Sequence, residues 1–190
     1  MKPMHVIAAA LAATSLWVVA AESTGKLPAP WFVTGATPSS YQVGIDSVET
    51  TSGKGSKFLR YAQGEDKSWA TLAQAVSSQR YLGQRVRFQA RVKSRDVSNW
   101  AGLWMRVDGQ ARGSTLAFYN SQDKPITGTS DWQTRSVTLD VPEEATSINF
   151  GVINAGTGQV WIDELSFEVV GKDVPVDAQH RSKLPESPTL

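Results

Sequence analysis

The chain has 190 residues, with 19 Lys and Arg against 18 Asp and Glu, two His and no Cys. That length suits one domain with appendages, and the near-neutral balance argues against bulk electrostatic capture of nucleic acid or anionic membrane. Without cysteine there is no disulfide framework, thiol nucleophile or thiolate metal site. With His5 and His180 as its only histidines, the chain is close to excluded from Ser-His-Asp catalysis, Cys-His catalysis and His-ligated zinc.

Met1 to Ala21 carries the three parts of a secretory signal: Lys2 at the start, an apolar run from Val6 to Ala20, and the small-residue exit Val19-Ala20-Ala21. The apolar run is about 15 residues, short of the ~20 that a spanning helix needs. The segment therefore reads as a cleaved leader, and the mature chain is expected in the periplasm or outside the cell, with no stable membrane insertion. Glu22 to Pro30 reads as a polar lead-in, residues 31–170 as the folded unit, and residues 171–190, polar and Pro-containing, as a flexible tail.

Within the folded unit the hydrophobic period is two. Val86, Phe88, Ala90 and Val92 share one side of a segment whose other side is Arg85, Arg87, Gln89, Arg91 and Lys93. One buried face of a strand produces this alternation and a helix does not. Val97, Ala101, Leu103, Met105 and Val107 continue it, as do Val137, Leu139 and Val141, then Ile148, Phe150 and Val152. Gln159 to Val170 reads as a long final strand, with shorter ones at Trp31–Val33, Tyr41–Ile45 and Phe58–Ala62. Trp69 to Val76 is also assigned as a strand. Turn signals at Asp108-Gly109, Gly113, Gly128, Pro142 and Ala155-Gly156 divide these runs. Eight or so strands with almost no helix predict an all-β antiparallel β-sandwich, most simply a jelly roll.

Trp100, Trp104, Arg106 and Asp108 alternate with the inward Leu103, Met105 and Val107, so they project from the opposite face of one strand. Two tryptophans on a non-core face need a cover. A flat aromatic matches the C–H face of a sugar ring, and neighbouring Arg and Asp can bond its hydroxyls. Asn149 is a candidate neighbour across the sheet. A loop or terminus could equally cover the tryptophans as a second small core. The cationic row Arg85, Arg87, Arg91 and Lys93 reads as a solvated strand face that discourages edge pairing.

Carboxylates are the remaining candidates for acid–base chemistry, and a glycosidase would need two facing each other about 5–9.5 Å apart. The chain lacks a Glu-x-Asp-x-x-Glu run. Asp163 shares its parity with Trp161, Leu165 and Phe167, the side expected to be buried, so it requires a partner. Hydrogen-bond donors fit; so does a structural calcium held by Asp46 and Asp163, the one cofactor implied.

Gly158-Gln-Val-Trp-Ile-Asp-Glu-Leu-Ser-Phe-Glu168 resembles the last strand of galactose-binding-like jelly rolls and many carbohydrate-binding modules. Trp100 to Asp108, Leu116 to Asn120, Lys124-Pro-Ile126, Gly128 to Trp132 and Gly156 to Trp161 are similar to a bacterial accessory domain found beside helix-turn-helix regulators and hydrolases. That family often has Asp after the Phe118 position, where this chain has Tyr119. A DNA-reading role is not expected of an exported chain of this size. The resemblance implies a galactose-binding-like jelly roll and a non-catalytic module for carbohydrate or a similar polar ligand. A carboxylate-dependent glycan-active enzyme, and a module docking on an envelope protein through its tryptophan face, are the alternatives.

Overall fold

The computed structural model describes residues 23–25, 27–65 and 67–178. The predicted leader and most of the tail lie outside the described residues. Ten strands are present: β1 (Ser23–Thr24), β2 (Phe32–Gly35), β3 (Tyr41–Asp46), β4 (Ser56–Tyr61), β5 (Trp69–Ser77), β6 (Arg85–Gly109), β7 (Thr115–Tyr119), β8 (Ile126–Asp140), β9 (Ala145–Ala155) and β10 (Gln159–Val170). A single 3-10 turn at Pro38–Ser40 is the only helix among the described residues. Every strand pairing is antiparallel. The protein is an all-β jelly roll, as the alternation predicts.

Its two layers share one strand. The first half of the 25-residue β6 pairs with β8 and β10, and β10 leads on through β4 and β3 to β1. The second half pairs with β7 and β9, and β9 leads through β5 to β2. Between the halves Asp96 adopts φ 54 and the β6–β8 register slips three times. A bulge adds a residue and bends the strand, so the inward side changes from Val86, Phe88, Ala90 and Val92 to Ala101, Leu103, Met105 and Val107. Phe150 of β9 packs at 4.8 Å from Phe88 and 4.9 Å from Phe167, centroid to centroid, closing the core between the layers. Tyr41 ties the layers together at one end, its hydroxyl donating to the carbonyls of Gly156 (2.7 Å) and Ser68 (3.0 Å); burial pushes that phenol up to about 12.

A second bulge corrects the reading of β10. Glu164 has φ 47 and the β6–β10 register shifts between Asp163 and Ser166. Val160, Ile162 and then Leu165 and Phe167 therefore face the core. Trp161 and Asp163 face the opposite way and are buried under the β3–β4 turn. The first residues of the segment read as a tail bond to the body as far as Asp177. The Arg85 guanidinium donates to the carbonyls of Lys172 (2.8 Å) and Val174 (2.5 Å), and Asp177 exchanges bonds with the Thr138 backbone, both 2.9 Å.

Gly151 of β9 lies between Ala73 of β5 and Trp104 of β6. A Cβ there would stand 2.1 Å from the Leu72 carbonyl oxygen and 2.8 Å from the Ala73 Cα. Backbone cannot retreat as a flexible side chain can. Gly151→Ala is expected to cost about 2 kcal/mol by forcing β5 and β9 apart; a urea melt of the two proteins measures it.

Candidate functional site

The face of the β2-β5-β9-β6-β7 layer that points away from the core is determined by register. One rung reads Trp69, Ala155, Trp100 across β5, β9 and β6. The next two read Thr71, Ile153, Gly102, then Ala73, Gly151, Trp104. The last reads Ala75, Asn149, Arg106 and ends on Phe118 of β7. Large side chains thus stand at the margins while Ala155, Gly102, Gly151 and Ala73 keep the middle low. The result is a groove of about 580 Å³ whose margins include Trp69, Trp100, Phe118, Arg106, Asn120 and Lys67.

Trp104 forms its floor. The indole reaches across β9 to donate its N–H to the Thr71 hydroxyl, which donates in turn to the Val152 carbonyl at 2.9 Å. Only 8% of Trp104 is exposed, so it offers ring surface from below and no free polar atom. Trp69 and Phe118, by contrast, are 39% and 40% exposed.

Arg106 is positioned from behind. Its Nε donates to Asp108, 2.9 and 3.0 Å from the two carboxylate oxygens, and Asp108 also accepts from Asn149 Nδ2 at 2.9 Å and from the Thr115 hydroxyl at 3.3 Å. Of the five residues predicted for the site, Trp100, Trp104 and Arg106 line the groove. Asp108 and Asn149 do not; they hold Arg106. Trp69, Phe118, Asn120 and Lys67 were not anticipated. Trp69 shares its parity with Thr71 and Ala73 on the predicted strand, which is the signal that was available, but no pattern within one strand reveals that Ala155 and Trp100 are its neighbours.

Asp46 and Asp163 lie on the other layer, under the β3–β4 turn. Asp163 accepts from the Thr51, Ser52 and Glu164 amides (2.8, 3.0 and 2.9 Å) and from the hydroxyls of Thr50 (2.8 Å), Ser52 (2.9 Å) and Thr51 (3.2 Å). Burial alone would raise this carboxyl, but the Ser52 amide, the Thr50 hydroxyl and the Thr51 and Glu164 amides outweigh it and hold it well below the usual carboxylate range. Asp46 accepts from the Val48 and Glu49 amides, both 3.0 Å, and from the Trp161 indole at 2.9 Å. Against its burial these bonds also hold it below the ordinary value. Both carboxylates thus have hydrogen-bond donors for partners, Asp46 from N–H groups alone and Asp163 from N–H groups and three hydroxyls.

The cationic row on the same layer is compensated. Arg85 pairs with Asp140 at 2.9 Å, Arg87 with Glu168 at 2.8 Å and Lys93 with Glu49 at 2.8 Å, while Arg91 donates to the Trp132 carbonyl at 3.1 Å.

No protein-family model matches the sequence. Over 146 residues the chain is 40% identical to YbfP, an uncharacterised HTH-type transcriptional regulator of Bacillus subtilis, covering 76% of this chain and 49% of that protein. The chain thus spans about half the length of this relative. Among solved structures it is similar to the enzymatically active domain of bacteriophage CBA120 tailspike protein 4, with a TM-score of 0.55 and 14% identity over 75% of this chain and 20% of that one. It is also similar to the C-terminal family 22 carbohydrate-binding module of Clostridium thermocellum Xyn10B, with a TM-score of 0.53 and 17% identity over 74% of this chain and 86% of the module. The xylan-binding domain of Paenibacillus barcinonensis Xyn10C gives 0.53 and 14% over 74% and 85%. At these identities the likeness establishes the fold, a jelly roll of the carbohydrate-binding-module kind.

Proposed function

We propose that this carbohydrate-binding-module-like jelly roll binds a saccharide chain in the groove of its β2-β5-β9-β6-β7 layer, without acting on it chemically. The Trp69–Ala155–Trp100 rung carries the reading. Two indoles flank an alanine across three adjacent strands, so their positions lie about 9.5 Å apart at the spacing of paired strands. That gap admits a flat apolar-faced ring with an aromatic wall on either side, and Asn120 and Arg106 supply polar contacts further along. The described lining holds no carboxylate, whereas hydrolysis calls for two. Docking of a folded protein calls for a broad flat patch, and a groove does not offer one. The xylan-binding description of one structural neighbour makes xylan a first probe. We further propose that the chain is exported, its mature form beginning at Glu22; N-terminal sequencing of the protein from the host's envelope fraction tests this.

The test of binding is affinity electrophoresis of the protein through gels containing xylan, mixed-linked glucan, galactan, dextran or polygalacturonate, followed by tryptophan fluorescence titration with oligosaccharides. Retarded migration in at least one gel is expected, with an emission change on titration. Unretarded migration in all of them would sink the proposal.

A further inference from the structure

We infer that the groove selects an acidic saccharide, one whose ring bears a carboxylate or a sulfate, through Arg106 and through Lys67. The inference rests on the carbohydrate-binding reading of the same groove and names the ligand chemistry that reading leaves open.

Asp108 takes the Nε of Arg106, and Asn149 and Thr115 fix Asp108, so the guanidinium is anchored on one edge. The side chain is 44% exposed and lines the groove, so the guanidinium is accessible from it. This fork is rigid, and two parallel N–H groups match a carboxylate or sulfate in a way they do not match a single sugar hydroxyl.

Lys67 stands on the β4–β5 connection among the groove-lining residues, exposed and without an ion pair to any described residue. Glu65, two residues earlier, is outside the lining. Asp108 balances Arg106 from behind, and the described groove lining itself holds no carboxylate to repel an anion. Arg85, Arg87 and Lys93 elsewhere on the surface each have an acidic partner, and so does Arg106; Lys67 differs from them in having none among the described residues. The formal net charge of +1 gives the protein no general attraction for polyanions, so any preference must be local to the groove.

The experiment compares matched pairs that differ in charge alone: polygalacturonate and alginate against their methyl esters, and dextran sulfate against dextran. Wild-type protein, Arg106→Gln, Arg106→Lys and Lys67→Gln are each titrated at low and at physiological ionic strength, with thermal melts to confirm that each variant folds. The wild type is expected to bind the charged member of at least one pair roughly tenfold tighter, with the margin shrinking as salt rises. Arg106→Gln is expected to abolish the margin, lowering affinity for the charged member far more than for the neutral one. Arg106→Lys is expected to keep part of it, and Lys67→Gln to reduce it.

Which pair responds distinguishes carboxylate from sulfate. Equal binding of charged and neutral members in all three pairs, or a margin that survives both Arg106→Gln and Lys67→Gln, overturns the inference but leaves the groove a saccharide site. Failure to bind any neutral or charged polysaccharide overturns both.

Discussion

Asp163→Ala is expected to destabilise the protein by about 3–5 kcal/mol, a large part of the total for a domain of this size. Three backbone amides and three hydroxyls converge on that carboxylate, which is 6% exposed. Alanine leaves those donors facing one another with no acceptor, each such group costing on the order of 1–3 kcal/mol if it stays dry. The turn is then expected to open, uncovering Trp161. Asp163→Asn should recover only part of the loss, since its amide nitrogen presents a donor where the native group accepts.

The effect carries a pH signature. The folded carboxyl titrates below the ordinary 3.8, so its contribution is complete above about pH 4 and declines as pH falls. Below that point the gap between wild type and Asp163→Ala narrows by roughly 1.4 kcal/mol per pH unit. Asp46 shifts in the same direction, and so does Asp140, which its hydrogen bond to Arg85 holds down to about 2 despite partial burial. Acid should therefore weaken the wild type from three places at once. Urea melts at pH 7, 4 and 2.5 check this, and a gap that is constant with pH would contradict the ionic role.

The second large effect is on binding. Trp100→Ala and Trp69→Ala are each expected to lower affinity for the best oligosaccharide by about 3 kcal/mol, roughly 100-fold, because each removes one wall of the same rung. Their melting temperatures should change little, since Trp69 is well exposed and Trp100 is only partly buried. Trp104→Ala should behave in the opposite way. It deletes a buried indole and the N–H that the Thr71 hydroxyl accepts, at about 3–5 kcal/mol of stability. Titration and melting of the three variants separate wall from floor. Equal loss of binding and stability in all three would mean that the rung is merely packing.

Alternation alone located most of the strands, including the final strand from Gln159 to Val170 and the one opening at Trp69. What it did not show was where the inward side changes. At Asp96 and Glu164 a single residue in the left-handed region inverts parity, and neither Asp nor Glu announces this as glycine would. Asp163 was consequently assigned to the same side as Phe167, when the two face opposite ways. The site divides along the same line. Trp100, Trp104 and Arg106 share one strand, so counting by two found them together. Trp69 and Phe118 reach the groove through β5–β9–β6 and β6–β7 pairing, which is a property of register between distant segments. Asp108 was on the correct face but too close to Arg106 to remain a free ligand contact.

The shared strand β6 has a consequence for the order of assembly. All four of its partners follow it in the chain, at residues 115–119, 126–140, 145–155 and 159–170. The earlier strands reach the body only through the last two: β5 joins through β9, and β4 through β10. As the chain emerges from the ribosome, the first hundred residues can make little more than the β3–β4 hairpin with β1 beside it and the separate β2–β5 pair, and isolated two-stranded pairs are marginal in water. Trp69 and Trp100 are therefore synthesised early yet face each other only after Ala155 arrives between them. The protein has no intermediate half that could stand alone, and its groove is completed among the last contacts to form.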